Sequence, residues 1–112
     1  MANISYVNGL YCNIQEAKIN INDRGYHFGD AVYEVILYND GIFYDYDGHI
    51  KRLFNSLKLI NIKFHLTDHQ LKIIIKYNLI NSIAKMITSI IYMNFSVLNI
   101  TMHSIYIRYI CH

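Results

Sequence analysis

Short apolar runs separated by turn-forming residues dominate the beginning of the chain. Residues 4–7 and 10–14 are two such runs, and Asn8-Gly9 lies between them. Asn-Gly between apolar runs favours a two-residue hairpin turn, because both central residues must adopt positive φ. The pattern therefore predicts a strand, a tight turn and a second strand. The Gly- and Asp-rich residues 22–30 that follow predict an ordered loop.

A second hairpin is indicated further along the chain. Residues 31–38 form a β-rich run, Asn39-Asp40-Gly41 supplies turn residues, and residues 42–46 are again mostly apolar. A glycine in such a turn is typical of a position with positive φ. The first half of the chain is therefore predicted to be antiparallel β structure.

The apolar spacing then changes to that of a helix, and it predicts two amphipathic helices. Asp47 is a candidate N-cap for the first helix, whose apolar positions are Ile50, Leu53, Phe54, Leu57 and Ile60. Thr67 and Gln70 have capping-box spacing, in which each side chain bonds the backbone N–H of the other residue. The apolar positions of the second helix are Leu71, Ile74, Ile75 and Leu79. Both helices can therefore pack on one core.

The end of the chain has a different character. Residues 86–107 contain no Asp, Glu, Lys or Arg and show no clean helical period. Although ~20 apolar residues suffice to cross a bilayer as a helix, the polar Asn94, Asn99 and His103 argue against a membrane span. We predict an α+β domain over residues 1–82, with an antiparallel sheet of two hairpins and two helices on one face. An irregular apolar tail is predicted over residues 83–112.

Composition argues against several classes of protein. Of the 112 residues, 54% are hydrophobic and 16% are charged, which excludes a disordered chain. The net charge of +2 comes from scattered Lys and Arg side chains, which argues against nucleic-acid binding. Cys12 and Cys111 lie far apart without CxxC spacing, and the N-terminus lacks a targeting pattern. We expect a reducing, cytoplasmic location.

Three side chains are candidates for chemistry or for an ion pair. Arg52 lies away from the apolar stripe of the first helix, where it is either a solvated surface residue or a rigidly held clamp for a phosphate. Tyr33 and Glu34 lie on opposite faces of their strand if alternation holds. The simpler expectation is packing in the core or on the sheet for Tyr33 and an exposed position for Glu34. If Glu34 is buried it needs a partner, for which Arg24 is a candidate.

The remaining candidate motifs carry no recognisable site. His65 and His69 are four residues apart, but the predicted helix start at Thr67 lies between them, so they do not share one helix face. We therefore predict no metal ion. Gly25 and Gly29 match neither the P-loop nor the dinucleotide-binding pattern.

Two motifs resemble those of a known enzyme family. Residues 23–35 read DRGYHFGDAVYEV, which is similar to the DRG-x-x-FGD-G-VYEV signature of fold-type IV (class IV) pyridoxal-phosphate-dependent aminotransferases. Residues 49–53 read HIKRL and resemble the family's H-x-x-R-L helix at about the expected distance. The resemblance covers about residues 4–80, and VYEV looks most like the D-amino acid (D-alanine) aminotransferases.

The resemblance implies a reaction and two site residues. Such enzymes transfer an amino group between a D-amino acid and a 2-oxo acid through pyridoxal phosphate. By the family pattern, Arg52 would contact the cofactor phosphate and Tyr33 would line the substrate pocket. Related enzymes are homodimers whose active sites draw on both subunits.

The departures from the family pattern concern catalysis. Family members continue with a TRG-type segment and then a lysine that holds the cofactor covalently. Ala31 also replaces the commoner glycine of the signature. None of this chain's lysines stands in the family's lysine context; they are Lys18, Lys51, Lys58, Lys63, Lys72, Lys76 and Lys85. We therefore predict a truncated chain that has no catalytic residue and is inactive alone.

The tail of residues 83–112 resembles no recognisable part of the family sequence. Its Ile- and Asn-rich composition is what a shifted reading frame in AT-rich DNA would produce. Two other functions stay open. One is a non-catalytic small domain or interaction module, and the other is a small membrane-associated protein whose tail inserts in a bilayer.

Overall fold

The computed structural model describes the backbone of residues 4–39, 41–81, 89–99 and 102–111, and the side chains of residues 4–39 and 41–77. Within these residues the chain forms one six-stranded antiparallel sheet and three helices. The predicted α+β class is therefore confirmed. In chain order the elements are β1 (Ile4–Val7), β2 (Leu10–Asn13), α1 (Arg24–Phe28), β3 (Ala31–Asn39), β4 (Ile42–Phe43), α2 (Tyr46–Leu59), α3 (Asp68–Asn81), β5 (Ser89–Asn99) and β6 (Met102–Cys111).

The first hairpin follows from its Asn-Gly turn. β1 and β2 pair in antiparallel register from Ile4↔Asn13 to Val7↔Leu10. Asn8 and Gly9 have φ values of 48° and 93°, which is the two-residue turn geometry whose twist matches that of the flanking strands. This predicted hairpin is confirmed.

The predicted loop of residues 22–30 contains a short helix with a cap at each end. The Asp23 side chain accepts a hydrogen bond of 2.8 Å from the backbone N–H of Gly25 and so caps α1. Gly29 ends α1 with φ 71°, a left-handed conformation that glycine adopts without steric cost. The segment is ordered as predicted, and the order comes from these two caps.

The second hairpin joins β3 to the short strand β4. The pairs are Tyr38↔Phe43 and Asn39↔Ile42, and Gly41 has the expected positive φ of 83°. Asp40, the central residue of the predicted turn, lies outside the described residues. β4 is only two residues long because the chain turns into α2 before the end of the apolar run.

α2 begins earlier than the sequence pattern predicts. Its N-cap is Asp45, in a left-handed conformation with φ 50°, so the prediction of Asp47 as the cap is wrong. Asp47 lies in the first turn, where a carboxylate is still favourable beside the positive end of the helix dipole. Ile50, Leu53 and Leu57 are buried as expected, since they share one face.

α3 begins at the predicted capping box. The backbone N–H of Gln70 donates to Thr67 Oγ1 at 3.2 Å, and the backbone N–H of Thr67 donates to Gln70 Oε1 at 2.9 Å. Leu71 and Ile75 are fully buried, whereas the side chain of Leu79 lies outside the described residues. The reciprocal bonds supply partners to helix-start N–H groups that the helix itself cannot satisfy.

The C-terminal segment is not irregular, and that prediction is wrong for the described residues. β5 and β6 pair from Ser89↔Cys111 to Asn99↔Met102. β5 also pairs with β3, and β6 pairs with β1, so this third hairpin lies in the middle of the sheet, in the strand order β2-β1-β6-β5-β3-β4. A central strand can be apolar on both faces, which removes the alternation that identifies a half-buried strand.

The third hairpin also changes the arrangement of the first two. They form opposite ends of the sheet instead of lying side by side. The predicted boundary at residue 82 falls in residues 82–88, which are outside the described part of the chain. The division into residues 1–82 and 83–112, and the shifted reading frame, stay predictions.

One face of the sheet and the two long helices enclose the core. The sheet supplies Val32 and Ile36 of β3 and Tyr6 of β1 to this core. The remaining members come from α2, α3 and the segment between them. These are Tyr46, Ile50, Leu53, Leu57, Ile62, Leu71 and Ile75. On β3 the alternate side chains point away from the helices. The sheet therefore holds α2 against one face of β3, and this contact builds the site described next.

Candidate functional site

The side chains of β3 alternate between a buried and an exposed face. Val32, Glu34 and Ile36 are buried, whereas Tyr33 is 70% exposed. This confirms the alternation expected of a strand. It also shows that the expectation of an exposed Glu34 is wrong, because the carboxylate faces α2 and only 3% of its surface is exposed.

Two side chains of α2 supply the partners of Glu34. Arg52 Nε donates to Glu34 Oε1 at 2.5 Å, and Arg52 Nη2 donates to Oε2 at 2.8 Å. His49 Nδ1 lies 2.8 Å from the same Oε2 atom. The predicted candidate partner, Arg24, instead pairs with Asp30 at 2.8 Å, on an exposed part of the surface.

The positions of His49 and Arg52 on α2 explain why both side chains contact the same carboxylate. His49 and Arg52 are three positions apart, so they lie on the same face of α2. A carboxylate only accepts hydrogen bonds, so His49 Nδ1 must carry the proton that it donates to Glu34. Nδ1 then has no lone pair for the 3.4 Å contact with Arg52 Nη2, which is a neighbouring contact and not a hydrogen bond.

The charges of this cluster favour an ionised Glu34. Burial alone would raise the pKa of the Glu34 carboxyl, but the hydrogen bonds from Arg52 and His49 and their charges outweigh it and lower that pKa below its usual value. In return, the hydrogen bond and charge of Glu34 raise the pKa of Arg52. The buried carboxylate is therefore a stable anion that holds a cation at the protein surface.

Arg52 keeps most of its donors available beyond this pair. A guanidinium has about five N–H donors, and two of those of Arg52 are directed at Glu34. The Arg52 side chain is 66% exposed, so its outer edge faces solvent. This edge has the planar, bidentate geometry that matches a phosphate or carboxylate.

The two site residues predicted from the sequence lie on neighbouring elements, because α2, which carries Arg52, packs against β3, which carries Tyr33. Tyr33 lies on the face of β3 opposite to Glu34 and is 70% exposed, so of the two expected positions, in the core or on the sheet, the core is excluded. Its position leaves the ring available to a ligand or to another part of a protein.

Glu34 and His49 were not predicted as a pair. The signal was present in the sequence as an isolated Glu between apolar residues of a strand, followed on the next helix by His and Arg three positions apart. A buried carboxylate requires such partners. Sequence spacing could not tell which helix residue faces the strand, because that depends on the packing of α2 on β3.

Among the residues that the structure describes, there is no group of three or more His, Cys, Asp and Glu side chains that could hold a metal ion. None of the helices in those ranges is both long and apolar enough to pass through a membrane.

Comparison with known proteins gives the family context of this site. No protein-family model matches the chain. A D-alanine aminotransferase of Bacillus licheniformis is 43% identical over 65 residues, which are 58% of this chain and 23% of that protein. The chain thus spans less than a quarter of the length of this curated relative.

Solved structures extend the likeness to the fold. The branched-chain aminotransferase of Thermoproteus uzoniensis with norvaline gives a TM-score of 0.84 at 20% identity, covering 99% of this chain and 41% of that one. The chain has the fold of the N-terminal part of class IV aminotransferases. A branched-chain amino acid aminotransferase from T.th., solved with pyridoxamine 5'-phosphate, gives a TM-score of 0.83 at 18% identity, over 97% of this chain and 40% of that one.

These likenesses confirm the resemblance drawn from the two motifs. The aminotransferase fold includes the C-terminal hairpin, since the likeness to the Thermoproteus protein covers 99% of the chain. The sequence likeness to the D-alanine aminotransferase covers 58% of it. β5 and β6 therefore belong to the sheet of the aminotransferase fold, although their sequence resembles no recognisable part of the family.

Proposed function

We propose that this chain is an aminotransferase-like domain that supplies two contacts to a pyridoxal phosphate site, namely Arg52 to the phosphate and Tyr33 to the substrate. The observation that carries the proposal is the exposed outer edge of a guanidinium whose inner edge is fixed by a buried carboxylate. The 43% identity of the chain to a D-alanine aminotransferase over 65 residues supports the proposal.

The residues present fit the phosphate end of the cofactor. The outer edge of Arg52 can donate two parallel hydrogen bonds to phosphate oxygens, and its charge is assured because its pKa is raised further by Glu34. Arg52 lies on a helix that is packed against the sheet, which favours a defined position for the bound anion. When bound, pyridoxal phosphate supplies an electron sink for negative charge at the amino acid Cα.

The substrate side of the proposal rests on Tyr33. Its ring is 70% exposed on the face of β3 opposite to the helices, so it can form one wall of a pocket whose other walls come from outside this domain. By the family resemblance, the ligand is a D-amino acid or a 2-oxo acid, and the complete enzyme is a homodimer. Tyr33 would hold the substrate through its ring and hydroxyl while taking no part in proton transfer.

The proposal limits what this chain does by itself. None of its lysines stands in the sequence context of the family's cofactor lysine. Without that lysine these 112 residues supply neither the covalent attachment nor the base that moves a proton at Cα. Binding of the phosphate is therefore expected of the chain, and transamination is not.

Comparison of pyridoxal phosphate with pyridoxal tests the phosphate contact. The two molecules differ only in the phosphate, so the ratio of their dissociation constants measures its recognition. We expect wild type to prefer pyridoxal phosphate roughly tenfold or more, and Arg52→Met to lose this preference. Lys51→Met removes an equal charge from the neighbouring position of α2 and should retain it. An equal preference in wild type and Arg52→Met would refute the assignment.

A further inference from the structure

We propose that Glu34 and His49 are positioning residues that orient Arg52 for anion binding, an inference that rests on the phosphate contact proposed above. Neither residue would touch the bound anion. Glu34 fixes the inner edge of the guanidinium, and His49 fixes Glu34. The outer edge of Arg52 is thereby presented to solvent in one orientation.

The geometry of the Glu34 contact restricts the guanidinium in its plane. Two parallel hydrogen bonds, from Nε at 2.5 Å and from Nη2 at 2.8 Å, prevent rotation of the group about its terminal bonds. A solvated arginine otherwise samples many rotamers, and that freedom is lost when an anion binds. Because the pair with Glu34 already restricts the side chain, less entropy remains to be lost on binding.

The burial of Glu34 distinguishes it from an ordinary surface partner. Its side chain is 3% exposed, in contrast to the 42% exposed Asp30 that pairs with Arg24. The carboxylate therefore cannot follow Arg52 into other rotamers. An exposed pair such as Arg24 and Asp30 is easily separated and restricts its arginine little.

His49 secures the carboxylate from a second direction. Its Nδ1 donates to Oε2, the same oxygen that accepts from Arg52 Nη2. The His49 side chain is itself only 22% exposed, so the protein encloses most of it and restricts its movement. Glu34 is thus bound on both oxygens, and its plane defines the plane of the guanidinium.

Positioning and simple charge neutralisation predict opposite effects of one substitution. Glu34→Gln removes a negative charge beside the anion site. If Glu34 were only a counter-charge, this change would tighten anion binding, because Arg52 would be less neutralised. If Glu34 positions Arg52, the same change should weaken binding ~3- to 10-fold, which corresponds to the cost of ordering one rotamer-rich side chain.

The experiment measures binding of inorganic phosphate and pyridoxal phosphate to the full chain carrying Glu34→Gln, His49→Leu or His49→Asn. The amide nitrogen of Asn can occupy the place of Nδ1, so His49→Asn should restore most of the affinity that His49→Leu loses. Hydrogen exchange of the Arg52 Nε–H, followed by NMR without ligand, should quicken in Glu34→Gln and His49→Leu. A role of His49 in fold stability alone would leave the exchange of the Arg52 Nε–H in the folded protein unchanged.

The outcomes separate this inference from the phosphate contact itself. If Arg52→Met binds phosphate as well as wild type does, the phosphate contact fails, and the positioning role fails with it. If Arg52→Met loses binding while Glu34→Gln and His49→Leu bind as tightly as wild type or more tightly, the contact stands and the positioning role is overturned. Should Glu34→Gln not fold, the comparison of His49→Leu with His49→Asn decides in the same way.

Discussion

Arg52 and Glu34 meet side-on through two hydrogen bonds, of 2.5 and 2.8 Å, although they lie 18 positions apart on a helix and a strand. The two members of the pair have very different surroundings, since the arginine side chain is 66% exposed and the glutamate side chain only 3%. The pair is therefore asymmetric, because water can replace Glu34 as a partner of Arg52 but cannot readily replace Arg52 as a partner of Glu34.

This asymmetry predicts unequal costs for the two single substitutions. Arg52→Met leaves a buried carboxylate with His49 as its remaining described partner, and leaving Glu34 under-satisfied should cost about 1–3 kcal/mol of the free energy of unfolding. Glu34→Met should cost less, because the freed arginine is solvated and Met suits an apolar site. Urea unfolding measures both. Arg24→Met, which breaks an exposed pair, is the matched control and should change the free energy of unfolding little. Equal costs for Arg52→Met and Glu34→Met would contradict the predicted asymmetry.

The lowered pKa of Glu34 predicts a dependence of stability on acid. Because the folded-state pKa is depressed, the stabilisation is complete above the unfolded-state pKa, about 4.3, and is lost as the pH falls through the folded-state pKa. Protonated Glu resembles Gln in shape and charge. The difference in free energy of unfolding between wild type and Glu34→Gln should therefore shrink as the pH falls below about 4.3. Urea unfolding at a series of acidic pH values measures this difference. If it stayed constant as the pH fell, a stabilising role of the ionised Glu34 carboxylate would be ruled out.

The capping box at the start of α3 makes a separate prediction about stability. Thr67→Ala removes the acceptor for the backbone N–H of Gln70 and should lower the free energy of unfolding by about 1 kcal/mol. Gln70→Glu keeps an acceptor of the same reach and should be tolerated. Urea unfolding of both variants measures these effects. An unchanged free energy of unfolding in Thr67→Ala would show that the capping box does not stabilise the fold.

Gly29 tests the backbone of the motif around α1. Its φ of 71° is a left-handed conformation, and the described residues leave the place of a Cβ open, with no atom within 4 Å. The cost of Gly29→Ala should therefore come from backbone conformation alone, at about 1–2 kcal/mol. Gly29→Asn should cost less, because Asn tolerates this conformation better. If denaturant unfolding showed that Gly29→Ala is as stable as wild type, a left-handed backbone at residue 29 would be contradicted.

The features that the sequence predicts correctly are local ones. Asn8-Gly9 and the Thr67–Gln70 box depend on residues only a few positions apart, so their side chains and turn preferences suffice to identify them. The apolar stripe of α2 is similar for Ile50, Leu53 and Leu57, which helical periodicity alone selects. Ile60 of the predicted stripe is 45% exposed, because the helix ends there.

The features that the sequence does not predict depend on contacts between distant elements. The partners of Glu34 are 15 and 18 positions away, on a helix whose rotation is set by packing on the sheet. The place of β5 and β6 between β1 and β3 depends on pairing with strands more than 50 residues earlier, about which a run of apolar residues carries no information. The residues alone made Arg52 and Tyr33 candidates, and the specific roles proposed for them come from the resemblance of the motifs to a known family.

The measurement that tests the central claim most directly is a visible absorbance titration of the purified chain with pyridoxal phosphate, with and without borohydride reduction, followed by mass spectrometry of the peptides. The account predicts binding that requires Arg52, without a reducible adduct concentrated at one lysine, because the chain offers the phosphate contact and lacks the family's cofactor lysine. A stable adduct at one particular lysine, with conversion of a D-amino acid by the chain alone, would contradict it and would show that this domain has a complete site.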